Sequence, residues 1–133
     1  MLYGINVIDT SFIFDISEKG FLISNDFKFD TFSEKLSNPL ASYELNILNL
    51  TEENFKADCS KLSDDCKCFS CQTGYTKAYL NHLFKCNELN GPIILLLHNL
   101  KYLENLISEF NKISDELRLK AFYGYLNKLA SGK

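Results

Sequence analysis

Cys66-Lys67-Cys68-Phe69-Ser70-Cys71 sets three thiols within six positions, and His98 follows the last of them by twenty-seven residues. Three thiols so close cannot pair tidily with one another in a folded core. As thiolates they can share one Zn2+, which takes four tetrahedral sulfur or nitrogen ligands at about 2.0–2.3 Å. Beyond the knuckle, Tyr75, Tyr79, Leu80, Leu83, Phe84 and Leu89 recur at helical spacing with Ala78 on the same face. A helix from Tyr75 to Asn90 runs about 24 Å outward at 1.5 Å per residue. A strand from Pro92 to Leu97 returns about 20 Å at 3.3 Å per residue, which delivers His98 beside the helix start. The expected ligands are therefore Cys66, Cys68, Cys71 and His98. Cys59, seven residues before Cys66, is within reach and would give a four-cysteine variant. Cys86, up the helix, reads as core, and His82 as exposed or packing. A closed Cys3His site is structural: it supplies folding energy and leaves no position for an activated water.

Working outward, Asn90-Gly91-Pro92 carries helix-stop chemistry. Ile93 to Leu97 is a continuous apolar run of strand length, and Asn99 can cap a following helix with the stripe Leu100, Leu103, Leu106, Ile107 and Phe110. A last helix is expected after Ser114 or Asp115, with Leu117, Phe122, Tyr125, Leu126 and Leu129. Upstream, Leu2, Ile5, Val7 and Ile8, then Phe12 to Phe14, then Phe21 to Ile23, read as strand-like, with a turn at Gly20. Residues 25–65 are looser and hold one convincing strand around Tyr43 to Leu50. A strand beginning at residue 2 needs neighbours on both edges.

The 133 residues carry 46% apolar and 23% charged residues, an ordinary globular composition. No apolar run approaches the roughly 18 residues of a membrane span, so no integral membrane segment is expected. Met1 to Asp9 lacks the basic start of a secretory signal. Five cysteines without such a signal suggest a reducing, cytoplasmic setting, where metal binding or burial outranks disulfides. The net charge of −3 hides an asymmetry: residues 1–65 carry 5 basic and 12 acidic groups, residues 66–133 carry 9 and 5. An acidic first half argues against that half gripping phosphates. Arg118 is the sole arginine beside 13 lysines.

The segment from Cys66 through Tyr75-Thr76-Lys77-Ala78-Tyr79 to His98-Asn99 resembles the zinc-binding segment of tRNA-guanine transglycosylases, with Lys77 where that family usually has arginine. Tyr3-Gly4-Ile-Asn-Val-Ile-Asp9 is similar to the family's late barrel strand, and Asp9 falls at the position of the nucleophile that attacks the ribose of the target guanosine. The sequence then departs from the catalytic pattern, whose arginines help hold the anticodon loop. Here Asp15 and Glu18 are acids, and Ser17-Glu18-Lys19-Gly20 looks like the eukaryotic accessory subunit of the family. The 46 residues from Gly20 to Cys66 point the same way.

The resemblance implies an α/β fold: the C-terminal portion of a TIM (β/α)8 barrel with an inserted zinc-binding subdomain. Residues 1–58 would be a late barrel strand with sheet extension and loop, 59–99 the zinc subdomain, and 100–133 C-terminal barrel helices. Full barrels need about 250 residues, so the expectation is a C-terminal fragment or truncated gene model. The implied function is a non-catalytic accessory subunit, with Asp9 a turn-forming or strand-end residue. It would form a heterodimer with a catalytic queuine tRNA-ribosyltransferase subunit, meet tRNA through that complex and carry one structural zinc. Peripheral association with the mitochondrial outer membrane is implied by the resemblance alone. The alternatives are a catalytic transglycosylase using Asp9 and a free-standing zinc-stabilised binding module. Lys77 and Lys85 read as a solvated helix face or as contacts to RNA or partner.

Overall fold

A computed structural model describes residues 9–24 and 46–112. The expected strand over Leu2, Ile5, Val7 and Ile8, the start of the Tyr43–Leu50 strand and the last helix after Ser114 lie outside the described residues. The chain divides into two compact units, one of residues 1–8, 27–44 and 105–133 and one of residues 9–26 and 45–104. Of the first, the described part is 105–112, the end of a helix. The second contains the sheet, the cysteine knuckle and the other described helices.

Phe12 to Phe14 is not a strand. Ser11–Glu18 forms helix α1, which buries Ile13, Ile16 and Ser17, an i, i+3, i+4 stripe, while Phe12 and Phe14 face outward at 56% and 52% exposure. The adjacent aromatics suggested a pleat, but the burying face is set by the isoleucines. Asp9 Oδ1 accepts from the Ser11 amide at the helix entry, and Ser17 Oγ donates to the Ile13 carbonyl.

Gly20 turns the chain into strand β1, Phe21–Ile23, at φ +83°. Strand β2, Ile47–Asn49, pairs with it antiparallel, Leu22 opposite Leu48. The ladder continues at both ends through Ser24 N to Asn46 O and Leu50 N to Gly20 O. A Cβ on Gly20 would lie 2.7 Å from Thr51 Cγ2, in a backbone region that L-residues avoid. Gly20→Ala is expected to cost about 2 kcal/mol, read as a lower urea midpoint with unchanged slope. A loss below about 0.5 kcal/mol would mean that the turn relaxes freely.

A 3-10 turn, Glu53–Phe55, leads towards the knuckle, whose second half is itself a short helix, α2, Phe69–Thr73, closed by Gly74 at φ +85°. Helix α3 spans Lys77–Lys85, with Thr76 Oγ1 accepting from the Tyr79 amide. It ends earlier than the expected Asn90. Asn87 sits left-handed at φ 54°, with Glu88 N bonded to Leu83 O and Asn87 N to Phe84 O. This is the paired closure of a Schellman cap.

Asn90-Gly91-Pro92 therefore opens a helix instead of stopping one. Helix α4 spans Asn90–Lys112 and absorbs both the expected Ile93–Leu97 strand and the Leu100 stripe. Proline is tolerated in a first helical turn, where its missing N–H has no intrahelical partner. Gly91, Ile94, Leu95, His98, Asn99 and Tyr102 are buried while Ile93 and Leu97 are exposed, a helical period that the unbroken apolar run conceals. Asn99 is interior to α4 and caps nothing.

The core joins Leu22, Leu50, Leu62, Leu80, Leu83, Ile94 and Leu95 with Cys68 and Cys71, and Leu48, Phe55, Cys66, Tyr75 and Phe84 pack against it. Helices and a two-stranded antiparallel sheet share this core, an α/β arrangement. Among the described residues no helix is long and apolar enough to cross a membrane.

Candidate metal centre

Four ligand atoms, from Cys66, Cys68, Cys71 and His98, lie within 4.8 Å of one another. The two ends of the set arrive by different elements. Cys68 stands at the N-cap of α2, and its Sγ accepts from the Cys71 amide at 3.4 Å. That turn aims both sulfurs the same way. His98 comes from α4. Nine residues of α3 carry the chain about 12 Å away, and the eight steps from Asn90 to His98 bring it about 12 Å back. A shorter outward helix and a helical return thus reach the place that a longer helix and a strand were expected to reach.

His98 Nδ1 is 3.2 Å from Cys71 Sγ and 3.7 Å from Cys68 Sγ. The edge of a tetrahedron around Zn2+ with S and N ligands is about 3.6–3.8 Å, so the cluster needs little adjustment to close on an ion. The other ring nitrogen, Nε2, is 3.1 Å from the Ile23 carbonyl. With Nε2–H donating there, Nδ1 keeps its lone pair for a metal. Cys68, Cys71 and His98 are buried and Cys66 is partly so. This donor set can hold a metal ion and leaves no protein-free position in a tetrahedron.

Burial is the first cause that pushes the Cys66 and Cys71 thiols up; the Cys66 and Cys68 sulfurs add to it at Cys71, while at Cys66 the Cys68 sulfur adds to it and the Cys68 amide and Cys71 sulfur partly oppose it. Without metal these groups keep their protons at neutral pH, and binding must expel them. Metal affinity should therefore rise with pH, by a factor of about ten per unit for each proton released. Competition against a chelator between about pH 6 and about pH 8 measures the slope. A flat profile would show thiolates already formed.

Asn99, expected as a helix cap, instead holds the edge of β1. Its Oδ1 accepts from the Ile23 amide at 3.0 Å, and its Nδ2 donates to the Phe21 carbonyl and Ser17 Oγ, both at 2.9 Å. His98 and Asn99 together grip Ile23 by both backbone groups. A neighbouring signal was available: Asn99 sits one residue after a candidate ligand on an otherwise apolar stripe. Asn81 plays a similar part, with Nδ2 donating to the Leu50 and Glu52 carbonyls. Ser70 Oγ donates to the Ile94 carbonyl and ties α2 to α4.

The remaining candidates stand apart. Cys59 is exposed and outside the cluster, and Cys86 is exposed, not core. It falls just past the last turn of α3, at its C-cap, beyond the buried stripe of Leu80, Asn81 and Leu83. His82 is exposed as one reading had it. Lys77 faces Ser60 Oγ at 3.0 Å and Asp58 at 3.7 Å, and Lys85 pairs with Glu53. Asp9 is exposed, and the amide of Ser11 holds its carboxyl below the usual carboxylate range.

A largely buried Cys3His cluster, set between a small sheet, a knuckle helix and a long helix, gives an α/β module whose four donors can hold a metal ion. The sequence pattern of the queuine tRNA-ribosyltransferase (TGT) family matches residues 1–128, and the chain belongs to that family. It is 40% identical over 97 residues to queuine tRNA-ribosyltransferase accessory subunit 2 of Drosophila sechellia, covering 73% of this chain and 21% of the relative. The Drosophila melanogaster protein of the same name is 38% identical over 97 residues, with the same coverage. Queuine tRNA-ribosyltransferase of Pasteurella multocida is 37% identical over 76 residues, 57% of this chain and 20% of the relative. The chain spans about a fifth of the length of the curated relatives it matches.

Proposed function

We propose that this chain corresponds to the C-terminal part of a non-catalytic accessory subunit of a tRNA-guanine transglycosylase, the enzyme that exchanges guanine for queuine at the tRNA wobble position. In this reading Cys66, Cys68, Cys71 and His98 hold one structural Zn2+. The zinc subdomain, residues 59–99, is inserted towards the end of a (β/α)8 barrel, with residues 1–58 and 100–133 on either side. The partner is a catalytic queuine tRNA-ribosyltransferase subunit, tRNA is met through the heterodimer, and the setting is cytoplasmic, with any mitochondrial outer-membrane contact peripheral.

The observation that carries the reading is helix α1. Asp15 and Glu18 are exposed on it, at positions where catalytic chains of the resembled family offer arginine. Like charge beside a phosphate backbone repels it. Asp9, at the nucleophile position, spends one carboxylate oxygen on the Ser11 amide at the mouth of the same helix.

The test is guanine exchange into tRNA by this chain, by a catalytic subunit and by their mixture, with co-elution followed in parallel. We expect no exchange by the chain alone, co-elution with the catalytic subunit, and mixture activity unmoved by Asp9→Asn. Exchange by the chain alone that vanishes in Asp9→Asn would establish the catalytic alternative. A metal-loaded chain that neither co-elutes nor alters exchange would make it a free-standing zinc module.

A further inference from the structure

We propose that His82 and Cys86 form a second metal site, open to solvent and selective for a soft divalent cation such as Zn2+ or Cd2+. The two residues are four apart at the end of α3, so they share one face. Both are exposed, and neither belongs to the Cys3His cluster. Cys86 Sγ lies 3.8 Å from both Nδ1 and Nε2 of His82. A tetrahedral ion bound by one sulfur and one imidazole nitrogen spaces them by about 3.6 Å. Sγ is equidistant from the two ring nitrogens, so the exposed ring turns about its side-chain torsions to aim one nitrogen lone pair at the ion.

The local field supports a cation there. The C-terminal end of a helix carries the equivalent of roughly half a negative charge, and α3 ends at this pair. The nearest cationic neighbour in sequence, Lys85, is engaged with Glu53. Thiolate and imidazole are the donors that favour Zn2+ and its softer congeners over Mg2+ or Ca2+. With two protein ligands, the remaining positions go to water. The ion here is therefore exchangeable, in contrast to one enclosed by three thiolates and His98.

Cys59, the other exposed thiol, supplies an internal control. The metal-loaded full chain is titrated with further Zn2+ while alkylation of Cys86 and Cys59 is followed by peptide mass spectrometry. At free Zn2+ about ten times the dissociation constant, Cys86 should be alkylated about tenfold more slowly, with Cys59 unchanged. In His82→Ala the slowing should fall below about twofold, the first metal equivalent being retained. Cys86→Ser should likewise keep the first equivalent and lose the second. Equal protection of both thiols, protection that survives His82→Ala, or no protection at any soluble Zn2+ concentration would overturn the proposal.

Discussion

Replacing Cys68 with serine is expected to strip the chain of its metal and, with it, of a cooperative fold. Cys68 Sγ is buried, within reach of His98 Nδ1 and of the Cys71 amide. It thus belongs at once to the Cys3His cluster, to the cap of α2 and to the core with Leu80, Leu83 and Leu95. A serine hydroxyl is a poor, hard ligand for a soft ion and stays protonated at neutral pH. Structural zinc sites contribute about 10–16 kcal/mol in small zinc modules, while a whole domain is stable by about 5–15 kcal/mol. On the proposed reading of one structural Zn2+, losing the ion removes a contribution as large as the whole stability of a domain, which the small core around Leu22, Leu50 and Leu95 is not expected to replace. Native mass spectrometry should find one metal per wild-type chain and none in Cys68→Ser, and near-UV circular dichroism should collapse in the variant. His98→Ala separates the ligand question from the packing question, because it removes nitrogen and leaves all three sulfurs. Full metal retention and unchanged stability in His98→Ala would reassign the fourth position.

The convergence of Cys66, Cys68, Cys71 and His98 was legible because spacing is a chemical statement: three thiols in six residues have few other uses, and a histidine lies at the far end of an excursion that returns to them. Strand β1 was legible as a short apolar run after the Gly20 turn, and the helix of α3 from its spacing, of whose expected stripe Leu80 and Leu83 are buried while Tyr79 is exposed. The path of the excursion was not legible. Ile93 to Leu97 is five apolar residues in a row, too short for period to separate strand from buried helix. Asn90-Gly91-Pro92 is locally as good a helix start as a stop. Tertiary context decides both: Gly91 packs where a Cβ would come within 3.2 Å of Leu83 Cβ, and Ile94, Leu95, His98 and Asn99 then fall inward together. Phe12 and Phe14 misled in the opposite way, as large apolar side chains left on the outside of α1. Leu89 is likewise exposed, so apolar identity by itself overstated the core at both places.

Asn99 should be the most sensitive position outside the ligands. Its side chain is fully buried and makes three hydrogen bonds, to Ile23 N, Phe21 O and Ser17 Oγ. The side chain acts as a third strand for one edge of β1, satisfying backbone groups that a wider sheet would otherwise pair. Asn99→Ala leaves a buried amide and a carbonyl without these partners, each deficit costing about 1–3 kcal/mol. The overall loss should reach about 3 kcal/mol or more, at the high end for a single substitution. Asn99→Asp keeps the acceptor for Ile23 N but offers no donor to Phe21 O, and it buries a charge, so it should be at least as damaging. The same change should reach the metal. Ile23 lends its carbonyl to His98 Nε2 while its amide is held by Asn99, so loosening one releases the other. Outer partners of metal ligands are typically worth about 10- to 100-fold in affinity, and about tenfold weaker metal binding is expected in Asn99→Ala. Urea unfolding of the metal-loaded protein and chelator competition read the two effects separately. A stability loss below about 1 kcal/mol with unchanged metal affinity would mean that water takes over the role of the amide at the sheet edge. A stability loss alone would confine Asn99 to β1 and detach it from the orientation of His98.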